Sequence, residues 1–179
     1  MRRLPPIILF FVMAPIALLG QKLTTDPANS SIKITGTSSL HDWESEAQSF
    51  DIAVTMDNNL LKELNGSIQV KSIKSGKSIM DEKTYDALGA DKFPDIKFQA
   101  NQLEIKNGKV TGKVAVTIKG VTQSYDLNSS STLTGGNVKV TGSVPLDMTA
   151  FGIEPPTAMF GTLETGKDVT INFQITLKQ

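Results

Sequence analysis

The chain has 179 residues, with 18 Lys+Arg against 18 Asp+Glu, one His and no Cys, and its length corresponds to about one domain of ~100–200 residues. The absence of cysteine excludes a disulfide framework, a Cys-ligated zinc and a thiolate nucleophile. A single histidine leaves too few ligands for His-rich metal sites, and the neutral formal charge argues against a strongly basic nucleic-acid binder.

The N-terminus has the three-part layout of a secretory signal peptide. Arg2 and Arg3 precede an apolar run over 4–19, and polarity returns at Gly20-Gln21-Lys22. The run is shorter than the ~20 residues of a membrane-spanning helix and contains prolines. We expect a signal peptide over 1–20, cleaved after Gly20, and one domain over 21–179. An uncleaved anchor is the alternative, because Leu18 stands where a small residue is preferred.

Loss of this leader would remove both arginines, because all other basic residues of the chain are lysines. Bidentate recognition of a phosphate or carboxylate by a guanidinium group would then be excluded. Lysines, backbone amides or hydroxyl groups would have to hold any anion.

From Ser31 onward, apolar and polar residues alternate at a period of two, which predicts strands with one apolar and one solvated face. Such strands favour antiparallel sheets. Asn107-Gly108 is a strong hairpin signal, and turns are also predicted at Asn65-Gly66 and Gly135-Gly136. The pattern amounts to about eight strands, the number at which a sheet closes into a barrel that is filled by side chains or holds one ligand.

One segment departs from this alternation and predicts a short helix between Ser78 and Gly89. Its inward positions follow a helical spacing: Met80, Thr84, Ala87 and Leu88. Ser78 and Asp81 suit an N-terminal cap, Gly89 suits a C-terminal cap, and Pro94 prevents continuation. The sequence therefore predicts an all-β, antiparallel barrel of about eight strands with one short helix.

His41, Asp42 and Trp43 form the one cluster of an imidazole, a carboxylate and an indole. Ser38 and Ser39 are the nearby nucleophile candidates, but no strand-to-helix elbow of the G-x-S-x-G kind exposes either of them. We interpret the cluster as a capped turn with Trp43 packed at a barrel end. No catalytic residue, metal or cofactor is expected, and a hydrolase that uses His41 is the weakest alternative.

Two further features are candidates for ligand contact. The densest basic stretch suits an anionic head group or a membrane surface, or else is an ordinary solvated edge. It comprises Lys71, Lys74, Lys77 and Lys83. Residues 151–161 form an aromatic, proline-stiffened loop that plugs a barrel end or lines an entrance for an apolar ligand.

Three segments together resemble the YceI-like polyisoprenoid-binding proteins of bacteria. They are Lys92-Phe93-Pro94-Asp95-Ile96-Lys97-Phe98, the glycine-led strand with a K-G-V-T turn over 112–122, and Phe151-Gly152-Ile153 followed by Val169-Thr170-Ile171. Many family members carry an arginine shortly before the F-G pair. In this chain Asp147-Met148-Thr149-Ala150 stands there instead.

The resemblance implies an antiparallel, extended lipocalin-like β-barrel that holds a long isoprenoid in its apolar interior. It also implies a periplasmic or secreted carrier or storage protein without catalytic activity. The expected partner is an isoprenoid or other apolar lipid, with transient contact to a membrane surface and no nucleic acid. Burial of hydrocarbon is worth ~0.8 kcal/mol per CH₂ group, so such a lipid needs an enclosed carrier in water. The alternative is a non-enzymatic envelope stress or protein-interaction module whose barrel core is packed.

The inward faces of the predicted strands and the aromatic loop supply the expected cavity lining. Its members are Trp43, Phe50, Ile52, Val54, Ile68, Val70, Ile96, Phe98, Val114, Val116, Phe151, Ile171 and Phe173. The expected head-group contacts are Lys71, Lys74 and Lys77.

Overall fold

A computed structural model describes residues 20–158 and 162–179. The predicted signal peptide lies outside the described residues except for Gly20, as do Met159, Phe160 and Gly161 of the predicted aromatic loop. Within the described ranges, no helix combines the length and the apolar character that crossing a bilayer requires.

The described residues form twelve strands, one α-helix and three short 3₁₀ turns. The strands are β1 Gln21–Thr25, β2 Ser31–Ser38, β3 Trp43–Ala47, β4 Phe50–Asp57, β5 Leu60–Gln69, β6 Ile73–Lys74, β7 Asp95–Lys106, β8 Lys109–Ile118, β9 Val121–Thr134, β10 Asn137–Asp147, β11 Thr157–Ala158 and β12 Leu163–Lys178. The helix α1 spans Ser78–Leu88, and the 3₁₀ turns span Pro27–Asn29, Val70–Ser72 and Met148–Phe151.

Eight strands form a closed antiparallel ring in the order β1-β4-β5-β7-β8-β9-β10-β12, and β12 pairs with β1 to complete it. This confirms the predicted antiparallel barrel with one helix. The 16 residues of β12 make closure possible, because β10 pairs along one edge while β1 and β2 share the other. Strands β2, β3 and β6 extend the wall from β12.

The hairpin turns have the backbone conformation that their sequences predict. Asn107 and Gly108, between β7 and β8, have φ values of 52° and 71°. Gly135 and Gly136, between β9 and β10, have φ values of 59° and 83°. Positive φ at both central residues is what a type I′ turn requires, so both predicted hairpins are confirmed.

The turn predicted at Asn65-Gly66 is wrong, because both residues lie inside β5. A Cβ atom on Gly66 would stand 3.0 Å from the Ile52 Cγ1 atom, so this glycine serves close packing between neighbouring strands. The chain turns instead before β5, where Asn58 has a φ of 53°.

Tightly packed aliphatic side chains close one end of the ring. This group, the barrel floor, consists of side chains no more than 2% exposed: Leu23, Val54, Leu61, Leu103, Val110, Val138 and Leu177. Cross-strand pairing brings them together, since Leu61 lies opposite Leu103 and Val138 lies opposite Leu177. The low exposure of these side chains shows that this end of the ring is closely packed.

The helix α1 covers the opposite end of the ring. Gly89 ends the helix in the left-handed conformation, which confirms the predicted C-terminal cap. The predicted N-terminal cap is wrong, because Lys77 occupies that position without a side-chain hydrogen bond. Asp81 instead accepts hydrogen bonds from the Ser75 backbone N–H and hydroxyl, each at 2.7 Å. Both bonds hold the pKa of Asp81 below its usual value, and the bond from the backbone N–H contributes more than the bond from the hydroxyl.

Replacement of Asp81 should loosen α1 from the barrel. We expect Asp81→Ala to lower the free energy of unfolding by about 2 kcal/mol, because both Ser75 donors lose their acceptor. Denaturant unfolding followed by circular dichroism measures this change. Asp86→Ala, at an exposed position of the same helix, is the control and should change stability by less than about 0.5 kcal/mol. Equal losses in the two variants would contradict this role of Asp81.

Candidate functional site

Above the floor, the barrel interior contains an apolar cavity, the barrel cavity. Its volume is about 130 Å³. Every side chain that lines it is aliphatic or aromatic: Ile32, Ile52, Leu61, Leu64, Phe98, Leu103, Val110, Val114, Val116, Tyr125, Leu127, Val140, Val144, Leu146, Ile171, Phe173, Ile175 and Leu177. Such a wall can bury hydrocarbon, but it would leave a charged or amide group without a partner.

A second cavity, the end cavity, lies beneath α1 and has a volume of about 170 Å³. All four helical positions singled out from the sequence line it: Met80, Thr84, Ala87 and Leu88. Trp43 and Phe151 contribute to the same wall. Leu146 and Ile171 line both cavities, so the two spaces adjoin at these side chains.

The end cavity differs from the barrel cavity in having polar groups in its wall. Lys83 is the one charged side chain among the described residues that line either cavity, and its ammonium donates to the Thr157 carbonyl at 2.9 Å. Ser45 is only 5% exposed and also lines the cavity. Its hydroxyl is thus a second polar group in this wall.

Trp43 is held in the wall of the end cavity by two contacts. Its indole N–H donates to the Thr37 carbonyl at 3.1 Å. Its ring lies against Gly36 on the paired strand, where a Cβ atom would stand 2.4 Å from the Trp43 Cζ2 atom. Glycine therefore permits this ring position. As the sole tryptophan, Trp43 is a specific fluorescent reporter of the end cavity.

The 3₁₀ turn after β10 places Phe151, which is 1% exposed, between the two cavities and β9. The Phe151 ring stacks on Tyr125 with 6.3 Å between ring centroids. Asp147 accepts a hydrogen bond from the Thr149 backbone N–H at 2.9 Å and pairs with Lys167. The hydrogen bond from Lys167 contributes most to the low pKa of Asp147, and the hydrogen bonds from Thr149 add to it. Together they lower this pKa to about 2.

The structure brings nine of the thirteen predicted lining residues to a cavity wall. Ile52, Phe98, Val114, Val116 and Phe173 line the barrel cavity, Trp43, Ile96 and Phe151 line the end cavity, and Ile171 lines both. The other four lie in packed parts of the fold: Phe50, Val54, Ile68 and Val70. Period-two alternation predicts which residues of a strand point into the barrel, but not where along the barrel axis they lie. Val54, for instance, points inward but belongs to the floor.

The three predicted head-group lysines lie outside both cavity walls. Lys71 pairs with Asp91 at 2.7 Å, and the Lys74 ammonium lies 3.7 Å from Asp81. Lys77 is exposed where α1 begins. The fourth lysine of the basic stretch, Lys83, is the one that lines a cavity. Helical spacing puts it beside Met80 and Thr84, and its side chain is exposed at the edge of that cavity.

The turn at His41 is capped as the sequence predicts. The Ser38 hydroxyl donates to the His41 carbonyl at 2.7 Å and accepts from the His41 backbone N–H at 3.2 Å. The His41 ring lies 2.7 Å from the Asp42 carbonyl through Nδ1. The Ser38 hydroxyl therefore contacts the backbone of His41, while the imidazole contacts the Asp42 carbonyl.

The ion pair at Asp147 predicts a pH dependence of stability. A carboxylate whose pKa falls from 3.8 unfolded to about 2 folded stabilises the fold above pH 3.8, and this contribution is lost as the pH falls toward 2. The melting temperature of the native chain should therefore approach that of Asp147→Asn as the pH is lowered through this window. Lys167→Met, which removes the first hydrogen-bond partner, should reduce the same acid dependence. A constant difference between native chain and Asp147→Asn at all pH values would contradict this assignment.

Solved structures share this fold. The chain is similar to BcnA of Burkholderia cenocepacia, with a TM-score of 0.73 and 18% identity over 85% of this chain and 98% of that one. It is similar to a polyisoprenoid binding domain from Saccharophagus degradans implicated in plant cell wall breakdown, with a TM-score of 0.69 and 12% identity. That match covers 89% of this chain and 98% of the Saccharophagus degradans domain. It is also similar to the Campylobacter jejuni YCEI protein, with a TM-score of 0.64 and 16% identity. That match covers 75% of this chain and 84% of the Campylobacter jejuni chain.

No curated protein matches the chain in sequence. The sequence profile of one family, described as the YceI-like domain, matches residues 23–177. That range contains the described side chains that line the barrel cavity and the end cavity. The chain therefore belongs to the YceI-like domain family.

Proposed function

We propose that this chain binds a long apolar lipid, an isoprenoid, inside its barrel and acts as a periplasmic or secreted carrier or storage protein. The observation that carries the proposal is the barrel cavity, whose wall consists of aliphatic and aromatic side chains. Membership in the YceI-like family supports the isoprenoid class. The similarity to a solved polyisoprenoid binding domain supports it further.

Hydrocarbon burial alone can supply the affinity for such a ligand. At ~0.8 kcal/mol per CH₂-sized group, each five-carbon unit transferred from water into the cavity gains roughly 4 kcal/mol before the costs of association are subtracted. The barrel cavity adds no polar wall that would offset this gain. Affinity should therefore grow with the length of chain that the cavity accommodates.

The two cavities suit the two ends of one lipid. The hydrocarbon chain occupies the barrel cavity, and the polar end lies beneath α1, where Lys83 and Ser45 line the wall. An ammonium group and a hydroxyl can hold a phosphate without a guanidinium group. The basic stretch thus contributes to binding through Lys83.

The alternative function, a protein-interaction module with a packed barrel core, requires an interior filled by its own side chains. The empty space above the floor favours a bound ligand over such a core. The proposal includes binding and release of the lipid but no chemical step.

A titration that follows Trp43 fluorescence tests the proposal. We expect a saturable change when a polyprenol is added to the native chain, because Trp43 lines the cavity that adjoins the hydrocarbon site. Val114→Phe, which fills part of the barrel cavity from β8, should weaken binding by about tenfold or more.

Val121→Phe is the matched control, because Val121 is 37% exposed and lines neither cavity. This variant should bind like the native chain. Absence of any saturable change in the native chain, or equal loss in the two variants, would overturn the proposal. Melting temperatures of both variants establish that each remains folded.

The head-group assignment makes a separate prediction. Lys83→Met should weaken binding of a polyprenyl phosphate by about fivefold, the size expected of an exposed charge pair, and should leave binding of the uncharged polyprenol unchanged. Lys77→Met, which removes an exposed lysine at the start of the same helix, is the comparison. A loss confined to Lys77→Met would place the head group outside the end cavity.

A further inference from the structure

The barrel wall has a break between β9 and β10. Their ladder runs from the hairpin turn only as far as the pair Ser130 and Thr141. Beyond that pair, on the side away from the floor, residues 121–129 of β9 pair with β8, and residues 142–147 of β10 pair with β12, but the two segments do not pair with each other. The β7–β8 ladder is also interrupted, yet it resumes beyond its irregularity.

Both ends of this break are defined by close contacts. At the end nearer the floor, a Cβ atom on Gly142 would stand 2.2 Å from the Ser129 Oγ atom, so glycine allows the two strands to touch where their pairing ends. At the end nearer α1, the 3₁₀ turn after β10 reaches across to β9. The Gln123 side-chain amide donates to the Ala150 carbonyl at 2.9 Å, and Phe151 stacks on Tyr125. The break in pairing is therefore bounded at both ends, and we call it the side window.

The inward side chains on both edges of the side window are apolar and line the barrel cavity. Tyr125 and Leu127 stand on the β9 edge, and Val144 and Leu146 stand on the β10 edge. Burial raises the pKa of Tyr125, and the negative charge of Asp147 raises it further. The window thus offers hydrocarbon a path into the cavity past uncharged side chains.

The β10 edge is unsuited to pairing with a further strand. Pro145 lies in the middle of the β10 segment that pairs with β12 but not with β9. Proline has no N–H to donate, so within sheets it occurs where a strand edge remains free. Pro145 therefore fits an edge that is left without a partner strand.

The two ends of the barrel are less suitable as entrances to the barrel cavity. The floor closes one end with side chains no more than 2% exposed. The helix α1 covers the other end, held by Asp81 and by the Tyr85 hydroxyl, which lies 3.0 Å from the Ile73 carbonyl. A chain that entered under α1 would also have to pass the polar groups of the end cavity.

We propose that the side window between β9 and β10 is the route by which the hydrocarbon chain of a lipid enters and leaves the barrel cavity. The inference rests on the proposed function. A chain that passes sideways between the two edges avoids threading through a barrel end. The route predicts that obstruction of the window changes the rates of binding and release without changing affinity.

A cross-link across the side window tests this route. The chain has no native cysteine, so Asp126→Cys with Pro145→Cys places thiols at exposed positions on the two facing edges. A bismaleimide with a cleavable disulfide spacer then spans the opening. A dansyl-labelled polyprenol, excited by energy transfer from Trp43, reports loading and release. Both rates should fall about tenfold or more at unchanged Kd and recover when the spacer is reduced.

The matched control joins β8 to β9 with the same reagent through Lys113→Cys and Asp126→Cys. These exposed residues already lie opposite each other in a continuous ladder, so the rates should not change. Unchanged rates in the window cross-link, with lipid still bound, would overturn the route alone. Absence of binding in the uncross-linked chain would overturn the proposed function and the route with it. Melting temperatures before and after reduction establish that the cross-linked chain is folded.

Discussion

The pairing of β12 along both of its edges is the interaction on which the barrel depends. One edge pairs with β10, and the other is divided between β1 and β2. Because β1 occupies only the last residues of that edge, the ring closes near the floor and the wall above it continues through β2 and β3. The barrel is therefore tightly closed at one end and extended at the other, where α1 and the end cavity lie.

This asymmetry gives the interior two different regions. In the floor, Leu23, Leu61 and Leu103 are no more than 2% exposed, and Leu61 lies opposite Leu103 on the neighbouring strand. These side chains exclude solvent. Higher in the ring, β8 and β10 present the short side chains of Val114, Val116, Val140 and Val144, which leave the barrel cavity between them. An eight-stranded ring is just wide enough to be filled by side chains, so shorter side chains on one level are sufficient to create a ligand site.

Much of the fold follows from the sequence because its signals are local. The positive φ of Asn107 and Gly108 and the C-terminal cap at Gly89 are each set by a few neighbouring residues. The glycine of Asn65-Gly66 misled the turn prediction because its role depends on Ile52 in another strand. Local pattern cannot distinguish a glycine that turns the chain from one that admits a neighbour.

The candidate site was less predictable for the same reason. Alternation identified inward faces, but the separation of floor from cavity depends on strand register, as Val54 and Ile52 show within one strand. Lys83 stood out only as part of a basic stretch, and its contact with the end cavity depends on how α1 packs. Apart from Pro145, no residue pattern within β9 or β10 predicts the side window. The window arises because the hydrogen-bonded ladder between these two strands ends at Ser130 and Thr141.

The central claim is that the barrel cavity holds a long apolar lipid. The most direct measurement is mass spectrometry of the organic-solvent extract of the chain purified without detergent from its native host. The account predicts a long-chain isoprenoid that co-purifies with the native chain and is depleted in Val114→Phe prepared in parallel. A native chain that carries no lipid, and gives no Trp43 response to added polyprenyl lipids, would contradict it.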